Sequence, residues 1–222
     1  MKIRTWLTAV VLLCLLTTGA AASSVLDNSY ETLCLRNGLD NPYLAAWLEI
    51  PGTDILRPVM QHPSDDTFYA GHNPNGTESA SGSLYTQHAY NAFDFSDPVT
   101  LIYGSSTDAV APLGQLQEIY SGSFDQCRTI YLHLPQQTQE YRVFAAVPFS
   151  SLHILHYYDF SVPRRFNSFF NNVFSTRALA MHLDEDNRPE PGKDRVLILS
   201  TSVRGDKTQR YLVMAKLVPQ EN

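Results

Sequence analysis

Charge is scarce in this chain. Only 17% of its 222 residues are Asp, Glu, Lys or Arg, and the sixteen Lys and Arg are scattered without a basic run. A nucleic-acid-binding protein needs a clustered positive footprint, so no nucleic-acid partner is expected. Cysteine is scarcer: three residues are too few for a disulfide scaffold and lack the paired spacing of a zinc site. The chain has no internal repeat and no low-complexity tract, and beyond its first residues no apolar run could span a bilayer. Nothing in it calls for a metal or another cofactor. What it has in quantity is apolar and aromatic side chains, 44% and 11% of the total. That balance excludes a disordered or collagen-like chain, and at this length it implies one globular domain with a sizeable core.

The first 22 residues read as a secretory signal peptide. Lys2 and Arg4 form a basic n-region, Trp6 to Leu16 an apolar h-region, and Gly19-Ala20-Ala21-Ala22 a small-residue cleavage zone. The h-region is short for a transmembrane span. An uncleaved anchor is the competing reading, and only through it would the protein touch a membrane. Either way the expected location is extracellular or at the cell surface. Cleavage would remove Cys14 and leave Cys34 and Cys127, which an oxidising compartment permits either to bridge or to stay as two thiols.

The remainder divides into an N-terminal helical segment over 23–44 and a barrel domain over 45–218. Tyr30, Leu33 and Leu35 suggest a short amphipathic helix. Ala46–Ile50 reads as a strand closed by the turn Pro51-Gly52-Thr53-Asp54, and Ile55–Met60 resumes as the next. Asp65–Ala70 reads as a helical turn. Short strands rich in β-branched and aromatic residues follow at Gly82–Tyr85, Val99–Tyr103, Thr129–Leu134 and Tyr141–Val147, then at Val196–Leu199 and Tyr211–Leu217. Leu113–Tyr120 has near-helical spacing. Arg164–Met181 is the strongest helix, with Phe166, Phe169, Phe170, Val173 and Phe174 forming one apolar stripe that reads as core. About eight strands with isolated helices predict a mainly β fold, a closed or nearly closed barrel with helical insertions.

Several of these segments carry a resemblance to the class B sortases, cysteine transpeptidases of the Gram-positive cell surface. They are Trp47-Leu48-Glu49-Ile50-Pro51-Gly52-Thr53 with Pro58-Val59-Met60-Gln61, then Gly82-Ser83-Leu84-Tyr85, Ile102-Tyr103-Gly104, Leu199-Ser200-Thr201 and Arg210-Tyr211-Leu212-Val213. The helix before the Val196 strand also resembles the class B insertion. Together they cover roughly 41–218. The resemblance implies a sortase-type eight-stranded β-barrel. It also implies a chemistry in which a Cys attacks a sorting-signal carbonyl, a His carries protons, and an Arg stabilises the oxyanion or positions substrate.

The chain departs from that pattern at the reacting atoms. Where the family reads Leu-Ser-Thr-Cys, this sequence has Leu199-Ser200-Thr201-Ser202; where it reads Tyr-Gly-His, this sequence has Tyr103-Gly104-Ser105. Only Arg210 is retained. The family's catalytic positions therefore fall on Ser202, Ser105 and Arg210, with Thr201 and Arg210 as the positions expected to contact a ligand. A serine hydroxyl ionises far less readily than a thiol and needs a neighbouring base. His72 and His88 lie near enough in sequence to be considered for that role, and His153 and His156, three apart, for a metal. Each reads more simply as a surface or loop residue. Asn75-Gly76-Thr77 matches a glycosylation sequon but reads as a turn.

The sequence thus predicts a degenerate class B sortase-like envelope protein. Such a protein binds a sorting-signal peptide, a pilin-like surface protein or another sortase without transpeptidating it. The alternatives are an acyl transferase using Ser202 and a structural envelope protein. For Arg210 the simpler alternative is a surface ion pair with Asp206. N-terminal sequencing of the exported protein is expected to find the mature chain beginning after Ala21 or Ala22, and an intact Met1 would identify an anchor instead.

Overall fold

The computed structural model describes residues 27–107, 111–122, 124–179, 181–203 and 206–219. The expected signal segment lies outside these. Strands β4 (Val99–Tyr103) and β8 (Val196–Val203) explain the architecture: both are near-continuous apolar runs because both faces are covered. Ile102, Leu197 and Leu199 point into the barrel, while Val99, Leu101, Tyr103, Val196 and Ile198 point outward against a helical layer. The two strands run parallel, with Tyr103 opposite Ser200.

Around them stand β1 (Leu44–Glu49), β2 (Leu56–Met60), β3 (Leu84–Tyr85), β5 (Thr129–His133), β6 (Thr138–Ser150), β7 (His182–Leu183) and β9 (Asp206–Leu217). The order is β5-β1-β2-β3-β4-β8-β9-β6, and β6 pairs with β5 to close an eight-stranded barrel; β7 adds to the outer part of β6. Strand β6, longer than its sequence signal, makes closure possible because Thr138–Arg142 pair with β5 while Tyr141–Ser150 pair with β9. The expected mainly β barrel with helical insertions is what the chain forms.

Helix α1 (Tyr30–Asn37) is capped by Ser29, whose side chain accepts from the Thr32 N–H, and ends at Gly38, whose φ of 60° suits glycine. Its Leu33 buries against Trp47, Met60 and Tyr69 on the outside of the barrel. The short helices α2 (Leu116–Gly122) and α3 (Ile154–Tyr157) follow, and α3 carried no sequence signal. Helix α4 (Pro163–Ser175) places Phe166, Phe169, Phe170, Val173 and Phe174 on the outer faces of β4, β6, β8 and β9. It ends six residues short of the expected Met181. The apolar stripe stops at Phe174, Leu179 is 94% exposed, and Arg177 instead donates to the Phe174 and Thr176 carbonyls. With nothing further to bury, propensity alone does not carry the helix on.

Cys34 is half-buried and Cys127 buried, and both are free thiols. Burial pushes the Tyr211 phenol up to about 12 and those of Tyr103, Tyr120 and Tyr141 further still. The unfolded chain releases these protons near pH 10. Stability is therefore full below pH 10 and declines as pH rises through about 12. Urea midpoints measured at pH 9, 10 and 11 are expected to fall above pH 10, less steeply in Tyr211→Phe. Phe170→Ala is expected to cost about 3–5 kcal/mol in the same experiment at neutral pH.

Candidate functional site

The antiparallel pairing of β8 with β9 sets the centre of the site. Its register brings Ser200 opposite Leu212, Thr201 opposite Tyr211 and Ser202 opposite Arg210. Alternation along the strands then sorts these side chains. Thr201, in step with Leu199, faces the barrel interior. Ser200, Ser202, Leu212 and Arg210 face outward with Tyr103. Ser202 is exposed and Arg210 half-buried.

Thr201 was expected to contact a ligand, but it is fully buried, so its side chain is not on the Ser202 surface. Only its backbone can meet a ligand there. Among the described residues the Thr201 and Ser200 hydroxyls both find no hydrogen-bond partner.

The segment leaving β4 forms the neighbouring wall. A side chain at Gly104 would put its Cβ 2.6 Å from Leu113 and from Leu84, so only glycine lets the chain cross there. The Gly104 N–H donates to the Ser200 carbonyl at 3.1 Å, and the Ser105 carbonyl accepts from the Leu113 N–H at 2.9 Å. The Ser106 hydroxyl donates to the Ser202 carbonyl at 2.5 Å. Ser105 instead turns its hydroxyl toward Thr107, 3.2 Å away. The tether between this segment and the end of β8 is thus Ser106, a residue sequence reasoning missed because nothing in its local pattern marks it. Together Ser106, Gly114, Gln117, Glu118, Ser121 and Ser202 line a polar cleft of about 290 Å³.

Arg210 lies with its guanidinium carbon 5.7 Å from the Tyr103 ring centroid, and Tyr103 stacks on Tyr85 at 5.4 Å. Burial raises both phenols, so both are neutral near pH 7. Among the described residues the Arg210 side chain has no hydrogen bond and no ion pair. The surface pair with Asp206 does not form. That carboxylate accepts from the Thr208 hydroxyl and N–H at 2.6 and 2.8 Å, bonds that hold its pKa below the usual carboxylate range.

None of the seven histidines makes a hydrogen bond or ring contact with Ser202, Ser105 or Arg210. His72 is bonded through Nδ1 to the Phe68 carbonyl at 2.7 Å and stacked on the Phe68 ring. His88 is exposed after β3 and makes no hydrogen bond among the described residues. His62 accepts from the Asp65 N–H, His182 stacks on Phe124, and His133 is buried between Glu49 and Thr138. His153 spends Nδ1 as the N-cap acceptor of α3, so it and His156 do not present two free ring nitrogens to a metal. Asn75 sits in an exposed turn, its Oδ1 accepting from the Thr77 hydroxyl.

No protein-family model matches the chain, and no curated protein is similar to it. Solved structures are. A cysteine-to-serine mutant form of Clostridium perfringens sortase B is similar with a TM-score of 0.70 at 22% identity, covering 85% of this chain and 87% of that one. The fold is that of the class B sortases. A Staphylococcus aureus sortase B–substrate complex matches at a TM-score of 0.69 and 17% identity, with 88% of each chain covered. A Streptococcus pyogenes class B sortase involved in pilus biogenesis matches at 0.65 and 22%, over 80% of this chain and 93% of that one. At these identities the likeness concerns the sortase fold, and the chemistry rests on this chain's own residues.

With no imidazole touching its hydroxyl, Ser202 is expected to stay unmodified by a fluorophosphonate probe, as read by intact-protein mass. An adduct that Ser202→Ala removes would reveal an activated serine.

Proposed function

We propose that this protein is a degenerate sortase: it holds a peptide against the β8–β9 face and does not transfer it. The carrying observation is that Ser202 and Arg210 sit opposite each other on one outward face while no histidine contacts either. A serine at that position needs a base to become a nucleophile. Glu118 lines the same cleft but makes no hydrogen bond to Ser202. What the face does offer is a cation, a hydroxyl and two stacked tyrosines, which are means of binding rather than of bond cleavage. The partner is a sorting-signal peptide or a pilin-like surface protein, and another sortase is of the same kind if it presents such a segment. The site of action is outside the cytoplasm, in keeping with the N-terminal segment.

The test is mass spectrometry for a covalent acyl-enzyme after incubation with a panel of class B sorting peptides. None is expected on the wild-type chain, and little on Ser202→Cys or Ser105→His alone. Groups that act as a unit are non-additive, so a thioacyl adduct is expected chiefly in the double variant. A stable ester on Ser202 of the wild-type chain, lost in Ser202→Ala, would instead make this a serine acyl transferase. For binding, Arg210→Ala is expected to weaken peptide capture by about 1.5–3 kcal/mol, the range for hydrogen bonds to a charged group. Capture that is unchanged by this substitution would favour a structural role for the barrel.

A further inference from the structure

We infer that the ligand group seated at Arg210 is a peptide carboxylate, so that the face selects an acid where a transpeptidase would take an internal amide. This rests on the peptide-binding reading above and narrows it to one chemical class.

The first observation is an uncompensated charge. Arg210 is half-buried, yet among the described residues its guanidinium makes no hydrogen bond or ion pair and lies near the Tyr103 ring. A guanidinium cannot be neutralised by losing its proton, and partial burial without a partner is unfavourable. Among the described residues no carboxylate forms an ion pair with Arg210. Burial keeps the Tyr85 and Tyr103 phenols protonated. Asp206 is held by Thr208. Asp66, close enough to act electrostatically on both tyrosines, accepts from the Ala89 N–H and makes no ion pair with Arg210. Glu118 lies in the cleft wall on the α2 side and also makes no ion pair with Arg210.

The second observation is what surrounds that charge. Ser202 stands directly opposite Arg210 in the register and is exposed. Side chains paired in this way have Cβ atoms about 4.5–5.5 Å apart, so one small group can touch both. A carboxylate fits: its two oxygens match the guanidinium fork, and a third bond is available from the Ser202 hydroxyl. A neutral carbonyl would leave the cation uncompensated. Tyr103 lies beside the guanidinium and, with Tyr85 stacked on it, offers an aromatic wall to the residue that carries the acid. That carboxylate can be the chain terminus of a peptide or the side chain of an Asp or Glu.

The experiment uses the full chain and a degenerate octapeptide library lacking Asp and Glu, made once as C-terminal acids and once as C-terminal amides. A third, amidated library includes Asp and Glu. Bound peptides are quantified by affinity selection and mass spectrometry. The acid library is expected to be captured about tenfold or more over its amide counterpart. That preference is expected to vanish in Arg210→Gln and to survive in part in Arg210→Lys. Capture of the third library above the plain amides would support the inference and show that a side-chain carboxylate can serve. Equal capture of all three libraries by the wild-type chain overturns it while leaving peptide binding intact. So does a preference that persists in Arg210→Gln. If no library is captured, the peptide-binding reading falls as well. The wild-type comparison of the three libraries requires no variant, so a poorly folding substitution does not blunt the test.

Discussion

Closure of the barrel through β6 is the constraint on which the rest depends. The strand pairs with β9 from Tyr141 to Ser150 and with β5 over its first residues. A sheet closed in this way has fixed neighbours on both sides of nearly every strand. The register between β8 and β9 is therefore not adjustable, and a slip of one residue would send Leu197 and Leu199 out of the interior. Ser202 opposite Arg210 follows from that register. The geometry of the site is inherited from packing at the far end of the same two strands.

The second constraint is that the barrel is buried on both sides where it matters. The interior holds Leu48, Ile102, Leu132, Leu199 and Tyr211, while α4 covers the outer face with four phenylalanines and Val173. This outer layer stops short of the ends of β8 and β9, and Arg210 and Ser202 emerge there. The boundary runs between Leu212, fully buried, and Arg210, half-buried two residues earlier. A polar site thus sits on the rim of an aromatic layer, where a half-buried cation lies near Tyr103.

The chemistry at that rim is unbalanced in an informative way. Hydroxyls are abundant, with Ser105, Ser106, Thr107 and Ser202 within one short stretch of contacts, and each hydroxyl is a weak acid and a weak base. Covalent catalysis needs groups of contrasting proton affinity held together. The seven histidines are instead spent on stacking, capping and one buried pair with Glu49, or stand exposed and apart. Arg210 is the charged group that survives in place, and it lacks an internal counterion among the described residues. Recognition is the task such a combination can perform.

Much of this was legible in the sequence. Period-two and continuous apolar runs placed most strands to within a few residues, the phenylalanine stripe marked α4, and motif order pointed to the barrel. The same order drew attention to Ser202, Ser105 and Arg210. Local pattern, however, says only which face a residue prefers, not what lies across from it. The extra length of β6, the brief β7, the early end of α4 at Ser175 and the inward turn of Thr201 all depend on partners distant in the chain. So do the tether from Ser106 to the Ser202 carbonyl, the Tyr103–Arg210 contact and the failure of Asp206 to pair with Arg210. The sequence by itself determined the elements and the missing thiol and imidazole, because residue identity and periodicity are local properties. Only the tertiary structure decided which hydroxyl meets β8 and that Arg210 has no counterion among the described residues, because those depend on distances between strands that closure of the barrel sets.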